Sequence, residues 1–147
     1  MATREYEVSL VRVSVVRESI ATRVARPHNA AGAAEAFRAF VPEDEDREIL
    51  GVILLDAKTC RGFQVVSIGT VDSTMVHPRE VFRAAIVAGA DGIIVIHNHP
   101  SGDPTPSPED RSVAARLGAA GELLGIHLLD MVIVGEGERF YSLASER

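Results

Sequence analysis

Two histidines one residue apart, His97 and His99, directly follow the apolar run Ile93-Ile94-Val95-Ile96, and a carboxylate, Asp110, follows eleven residues after His99. At a strand end, side chains at i and i+2 leave the backbone on the same side. The loop between them is rich in Pro and Gly, stiff and sharply turned, so it can return Asp110 to the imidazoles. Two imidazoles and a carboxylate form a three-ligand set for Zn2+, with a fourth position left to water. An open position marks a catalytic zinc rather than a structural one. Hydrolysis at such a centre needs one more carboxylate, outside the ligand set, to accept the water's proton and pass it to the leaving group. Two residues are candidates: Glu48, ahead of Ile49-Leu50-Gly51-Val52-Ile53-Leu54, and Glu80, in the first turn of a helix beginning near Pro78.

The same residues have plainer readings. Ser107 and Asp110 have the spacing of a capping box, in which hydroxyl and carboxylate satisfy free amides at a helix start. Asp110 can hardly cap and ligate through one oxygen, but its second oxygen remains. Glu48 could close a solvated acidic link, and Glu80 suits the positive end of its helix. Asn98 points away from His97 and His99 in strand geometry and is expected to tie down the loop. Asp103 is expected to bond loop amides. His28, His77 and His127 read as local structure, and Cys60 as an ordinary thiol beside a turn.

These residues need elements to position them. Tyr6 to Val16, rich in Val with Val11, Val13 and Val15 alternating against Arg12 and Ser14, predicts a strand. Asn29 to Phe40 predicts a helix. The acidic link Pro42-Glu43-Asp44-Glu45-Asp46 divides a lead-in, residues 1–45, expected to pack on the main domain, from that domain, residues 46–147. Strands are expected over Ile49–Leu55 and Arg61–Ile68 around a turn at Asp56-Ala57-Lys58. A helix follows from Pro78 to Gly89, then a strand over Gly92–Ile96 that delivers the histidines. A second helix is capped by Ser107, starts at Pro108, carries Glu109 and Asp110 in its first turn and stops at Gly125. Ile126–Val134 and Phe140–Leu143 read as closing strands around a Gly135-Glu136-Gly137-Glu138 turn. The fold class is therefore α/β, a mixed sheet flanked by helices. No glycine-rich dinucleotide fingerprint follows a strand.

Composition bounds the function. The chain has 147 residues, 46% hydrophobic and 24% charged, enough for one core, and its net charge of −6 gives no bulk footprint for nucleic acid. One cysteine supports neither an internal disulfide nor a cysteine-rich zinc site, and fits a reducing cytoplasm. No apolar run is long enough to span a membrane, and the charged start at Arg4, Glu5 and Glu7 is unlike a signal peptide. Exposed edge strands leave an oligomer open.

The strings His97-Asn98-His99-Pro100-Ser101-Gly102-Asp103 and Pro106-Ser107-Pro108-Glu109-Asp110 resemble the RadC-like branch of the JAB/MPN (JAMM) metalloprotease superfamily. The superfamily pattern is a distant Glu, then His-x-His, then Ser-x-x-Asp. Gly69-Thr70, His77-Pro78-Arg79-Glu80-Val81-Phe82 and Leu128-Leu129-Asp130 are further family-like strings, and the likeness runs from Glu48 to Glu146. It implies a curved mixed sheet with flanking helices, similar to the cytidine-deaminase-like architecture. It also implies His97, His99 and Asp110 as zinc ligands, Glu48 as the base, and Ser107 as a partner of the tetrahedral intermediate's oxygen. Two departures matter. The helix-hairpin-helix module that often precedes this domain has no counterpart in the first 45 residues, and Met131 stands where the family commonly has His after Leu-Asp.

The expectation is thus a cytoplasmic zinc-dependent hydrolase of peptide or isopeptide bonds, with a peptide or protein substrate. A non-catalytic MPN-type scaffold is one alternative, although such scaffolds usually lack metal ligands and this chain keeps the set. A DNA-repair-associated role is the other, against which stand the acidic balance and the missing hairpin module. The letters His-Asn-His do not make an HNH nuclease, whose residues are spread over a hairpin and helix. A zinc nucleobase deaminase needs a Cys-x-x-Cys that one cysteine cannot provide.

Overall fold

The computed structural model describes residues 2–69 and 76–146. Its order is α1 (Ala30–Phe40), β1 (Glu48–Leu55), β2 (Cys60–Gly69), α2 (Pro78–Ala88), β3 (Gly92–Asn98), α3 (Pro108–Leu124), β4 (His127–Val134) and β5 (Phe140–Ser142), then a short 3-10 turn, Leu143–Glu146. The strands form one mixed sheet in the order β2-β1-β3-β4-β5. β1 runs antiparallel to β2 and β3, β3 parallel to β4, and β4 antiparallel to β5. The parallel pair needs a crossover, and α3 supplies it.

Strand alternation divides the apolar side chains between two layers. Leu50, Val52, Leu54, Ile93, Val95 and Met131 face α2 and α3 and pack with Phe82, Val113 and Leu117. Ile49, Ile53, Leu55, Ile94, Ile96, Val132 and Val134 face α1, against Ala33, Ala34 and Phe37. The central strand β3 is buried along its whole length, which is why it reads as a continuous apolar run rather than an alternating one. Each fully buried Ile of that run contributes about 1.5–3 kcal/mol of burial, so β3 is a firm platform for whatever its end carries. The sheet flanked by three helices is the mixed α/β architecture of a JAB/MPN fold.

Helix ends follow the caps in the sequence. Asn29 caps α1 through its side chain on the Gly32 amide, and His77 caps α2 by accepting from Arg79 N. Pro78 and Pro108 open α2 and α3, and Gly89 and Gly125 close them in the left-handed conformation. His28 bonds the Asp56 carbonyl, and Cys60 is exposed. Thr70, one of the family-like residues, lies outside the described residues.

One expected element is absent. Tyr6 to Val16 forms no strand: residues 2–29 pair with none of the described strands. Tyr6, Val8, Leu10, Val11, Val13, Val16 and Ile20 are 71–96% exposed. The hydrogen bond from Arg17 Nη2 to the Arg61 carbonyl is a side-chain tether, not a ladder. Alternation assigns faces to a strand, but a ladder partner makes it one. The order therefore begins with α1.

Candidate metal centre

β3 ends in the site. Ile93 and Val95 point to the α2–α3 side, and two residues later so does His97, fully buried. His99, just past the strand, is held by its amide on the Val134 carbonyl. The loop beyond is tied back twice more: Gly102 N bonds the His99 carbonyl, and Glu136 N bonds the Gly102 carbonyl. Gly102 takes φ +89°, and a Cβ on Gly135 would lie 2.5 Å from the Gly102 carbonyl, so both glycines are required by geometry. The loop then delivers Ser107 as the cap of α3.

Asp110 is where cap and candidate ligand coincide. Ser107 Oγ accepts from Asp110 N at 3.1 Å, and Asp110 Oδ2 accepts from Ser107 N at 2.8 Å, completing the capping box. The second oxygen is free of that duty: Oδ1 stands 3.1 Å from His97 Nε2, while Oδ2 also stands 3.1 Å from His99 Nε2. Ligand atoms of His97, His99 and Asp110 all lie within 4.8 Å of one another. The structure therefore brings together the three residues whose spacing suggested a metal set.

Protonation makes this geometry informative. His99 Nδ1 lies 2.9 Å from the Asp103 carbonyl, and His97 Nδ1 lies 3.4 Å from the Asn98 carbonyl. A carbonyl only accepts, so an Nδ1 bonded to one donates to it, and each ring turns its Nε2 toward Asp110. Two imidazole Nε2 atoms and a carboxylate then converge within 4.8 Å of one another. His97 Nε2 is buried without a hydrogen-bond partner despite its close approach to Oδ1. Such a cluster is suited to hold a cation. The bond to Asp110 raises the pKa of His99, burial opposes this, and the Asp103 carbonyl and the charges of Asp110 and Glu48 add to the rise. Burial would raise the Asp110 carboxyl, but the close imidazoles of His97 and His99 and the bond from Ser107 N outweigh it and hold it well below the carboxylate range.

Glu48 stands where the register brings it. Leu50 pairs with His97, so on an antiparallel strand Glu48 reaches the level of His99 on the same face. Its charge is among those acting on His99. Glu80 is not part of this group: it pairs with Arg79 and Arg83 on α2. Asn98 points away from the two imidazoles and bonds Ile49 N and the Arg47 carbonyl, and the Asp103 side chain bonds Thr105 N. Sequence reading missed the Asp103 carbonyl as orienter of His99, since every residue carries one and only the loop's path selects it. Met131 is a buried core residue, and neighbouring Asp130 accepts from Ser142 Oγ and Ala144 N, pinning the C-terminal turn.

The sequence model of the RadC-like JAB domain matches residues 28–147. The chain belongs to the RadC-like JAB domain family. Its match begins just before α1. Among similar proteins, a UPF0758 protein of Thermotoga maritima is 57% identical over 90 residues, 60% of this chain and 40% of the relative. One from Caldanaerobacter subterraneus subsp. tengcongensis is 51% identical over 92 residues, 62% of this chain and 40% of the relative. One from Desulforudis audaxviator is 44% identical over 125 residues, 84% of this chain and 52% of the relative. The chain thus spans about half or less of the length of these relatives. No helix among the described residues is long and apolar enough to cross a membrane.

Proposed function

We propose that this RadC-like JAB domain is a zinc-dependent hydrolase of peptide or isopeptide bonds. The supporting observation is the convergence of two imidazole Nε2 atoms on a buried carboxylate, with His97 Nε2 left without a hydrogen bond. Nitrogen and oxygen donors of this kind suit Zn2+, and backbone carbonyls behind each imidazole match the usual support of zinc-binding histidines. His97, His99 and Asp110 would hold the ion. When bound, it supplies Lewis acidity, polarising the scissile carbonyl and bringing the pKa of water toward about 7.

The chain's own residues supply the rest. Glu48, at the level of His99, takes the proton of the attacking water and returns it to the leaving amine. Ser107 Oγ already accepts from Asp110 N, so its hydroxyl proton is free to turn to the carbonyl oxygen as charge grows there. Asp110 is fixed by the helix start, so the site is preorganised before any ligand arrives. The substrate is a peptide or protein, and the cytoplasm is the compartment that fits the free thiol of Cys60.

Elemental mass spectrometry of the purified, zinc-reconstituted protein tests the ligand set. The expected result is about one zinc per chain by the three-ligand rule, lost in His97→Ala and in Asp110→Ala. Absence of metal after reconstitution would overturn the reading and leave Ser107 and Asp110 as a helix cap. Glu48→Gln is expected to keep zinc and lose cleavage across a panel of peptide and isopeptide substrates; an unimpaired variant would remove Glu48 from its role.

A further inference from the structure

The residue between the two candidate ligands has work of its own. His97 and His99 face α3, so Asn98 cannot join them. The residue is 9% exposed, and a buried carboxamide must find both a donor and an acceptor. Oδ1 accepts from Ile49 N at 2.7 Å, and Nδ2 donates to the Arg47 carbonyl at 3.0 Å. Those two groups flank Glu48, one on the residue before it and one on the residue after. A parallel strand uses this same pattern, giving and taking bonds on either side of the residue it faces. The Asn98 side chain thus imitates one rung of a parallel ladder centred on Glu48.

The rung sits where the regular ladder runs out. The register between β1 and β3 ends at Leu50 opposite His97, leaving Glu48 beyond the last pair on that side. Strand ends without ladder bonds fray. On the other side Glu48 is opposite Gly69, the last residue of β2.

We propose that Asn98 is a positioning residue that clips the backbone on both sides of Glu48 and so fixes that carboxylate against the His97–His99–Asp110 centre. The tripeptide His97-Asn98-His99 then sets both halves of the chemistry, the ligands on one face and the base's placement through the other. This rests on the reading of Glu48 as base. Displacing a catalytic group by about 1 Å can cost about 10²-fold in rate, so a two-point clip at this position has a large effect to exert.

The test uses the full chain loaded with cobalt or zinc, with Asn98→Leu, which removes both bonds, and the isosteric Asn98→Asp, which keeps the acceptor for Ile49 N and loses the donor to Arg47. Zinc affinity by chelator competition is expected to stay within about threefold of the parent, because the ligands are untouched. Exchange of the Ile49 amide is expected to accelerate at least tenfold in Asn98→Leu and less in Asn98→Asp. The pH at which the cobalt spectrum changes is expected to move in Glu48→Gln, to move the same way in Asn98→Leu, and to move no further in the double variant. With a substrate from the panel, kcat falls about 10²-fold at little changed KM. A cobalt titration unmoved by Asn98→Leu but moved by Glu48→Gln overturns the proposal. So does a tenfold loss of zinc affinity, which would make Asn98 a support of the ligands instead. If Glu48→Gln itself leaves the spectrum unmoved, the reading of Glu48 fails, and that result is visible without any Asn98 variant.

Discussion

The corner where β1 meets β3 and the N-terminal arm make opposite use of similar material. Both carry apolar residues in strand-like order. At the corner, Ile49, Leu50, Ile96 and His97 are buried, and the polar side chains of Asn98 and Asp110 are each hydrogen-bonded by the fold. Along the arm, Leu10 and Val8 are 96% and 89% exposed and Arg17 supplies a single-bond tether to Arg61. The difference lies in partners, not in composition. A ladder neighbour and a helix above it convert alternation into burial, and burial makes a polar residue's position definite. Stability and the metal centre should therefore depend on the corner and be indifferent to the arm.

The largest expected effect is at the ligands. Zinc at about 100 times its dissociation constant stabilises a protein that binds it only when folded by about 2.7 kcal/mol. At about 2–4 °C per kcal/mol for a domain of this size, that is a rise of about 5–10 °C in Tm. A calorimetric scan should show this rise in the parent and none in Asp110→Ala. An equal rise in both would place the zinc elsewhere.

Next comes the support beneath the loop. Gly135→Ala puts a methyl group 2.5 Å from the Gly102 carbonyl and 2.8 Å from Pro104 Cδ. Relief requires backbone movement, and overpacking of this kind costs about 1–3 kcal/mol. Denaturant unfolding should show that loss together with weaker zinc binding, since the same loop carries the Asp103 carbonyl that orients His99. Loss of stability with zinc affinity intact would mean the loop can shift without turning the imidazole.

The pH response is smaller and has a definite sign. Asp110 is depressed in the folded protein, so its contribution is present above the ordinary carboxyl range and fades as pH falls through its folded value. His99 is raised, so its contribution is complete below about 6.5 and fades as pH rises through its elevated value. Metal-free protein should accordingly be most stable between about pH 4 and 6.5 as far as this pair is concerned. Zinc must displace the His99 proton, so its affinity should rise across the pH range where the metal-free protein loses that contribution. Melting curves with and without zinc should diverge toward alkaline pH, and parallel curves would show that His99 is not a ligand.

How legible all this was depends on how local the cause is. Ser107-Pro108 and Gly125 mark both ends of α3, because caps act on adjacent amides. The pairing of His97 with His99 follows from strand parity, and Asp110 from the turn between. Distant causes were not legible. Nothing in the sequence around Glu48 shows that Asn98 bonds the peptides on either side of it, since that contact joins residues about fifty positions apart. Glu80 and Glu48 looked alike as acids near element starts; the register of β1 on β3, and the arginines around Glu80, separate them. The arm misleads for the same reason: its pattern is local, while the partner a strand needs is not.

Removing residues 2–16 is the smallest expected effect and the sharpest check on the comparison. The segment buries almost none of its large apolar side chains, so deleting it removes little burial from the folded state. It also leaves the caps, the α1 contacts and the metal centre untouched. Changes away from such features usually stay within about 0.5 kcal/mol, which here means a shift of about 1–2 °C in Tm. Zinc affinity should be unchanged. The truncated chain should also be the more soluble, because Tyr6, Val8, Leu10, Val11 and Val13 form an exposed apolar stretch of the kind that favours association. A drop of more than about 5 °C, well beyond the 0.5 kcal/mol expected of uninvolved surface, would show that the arm finds a ladder in solution. Its alternating valines would then be a strand after all, and the contrast with the corner would be one of occupancy rather than of kind.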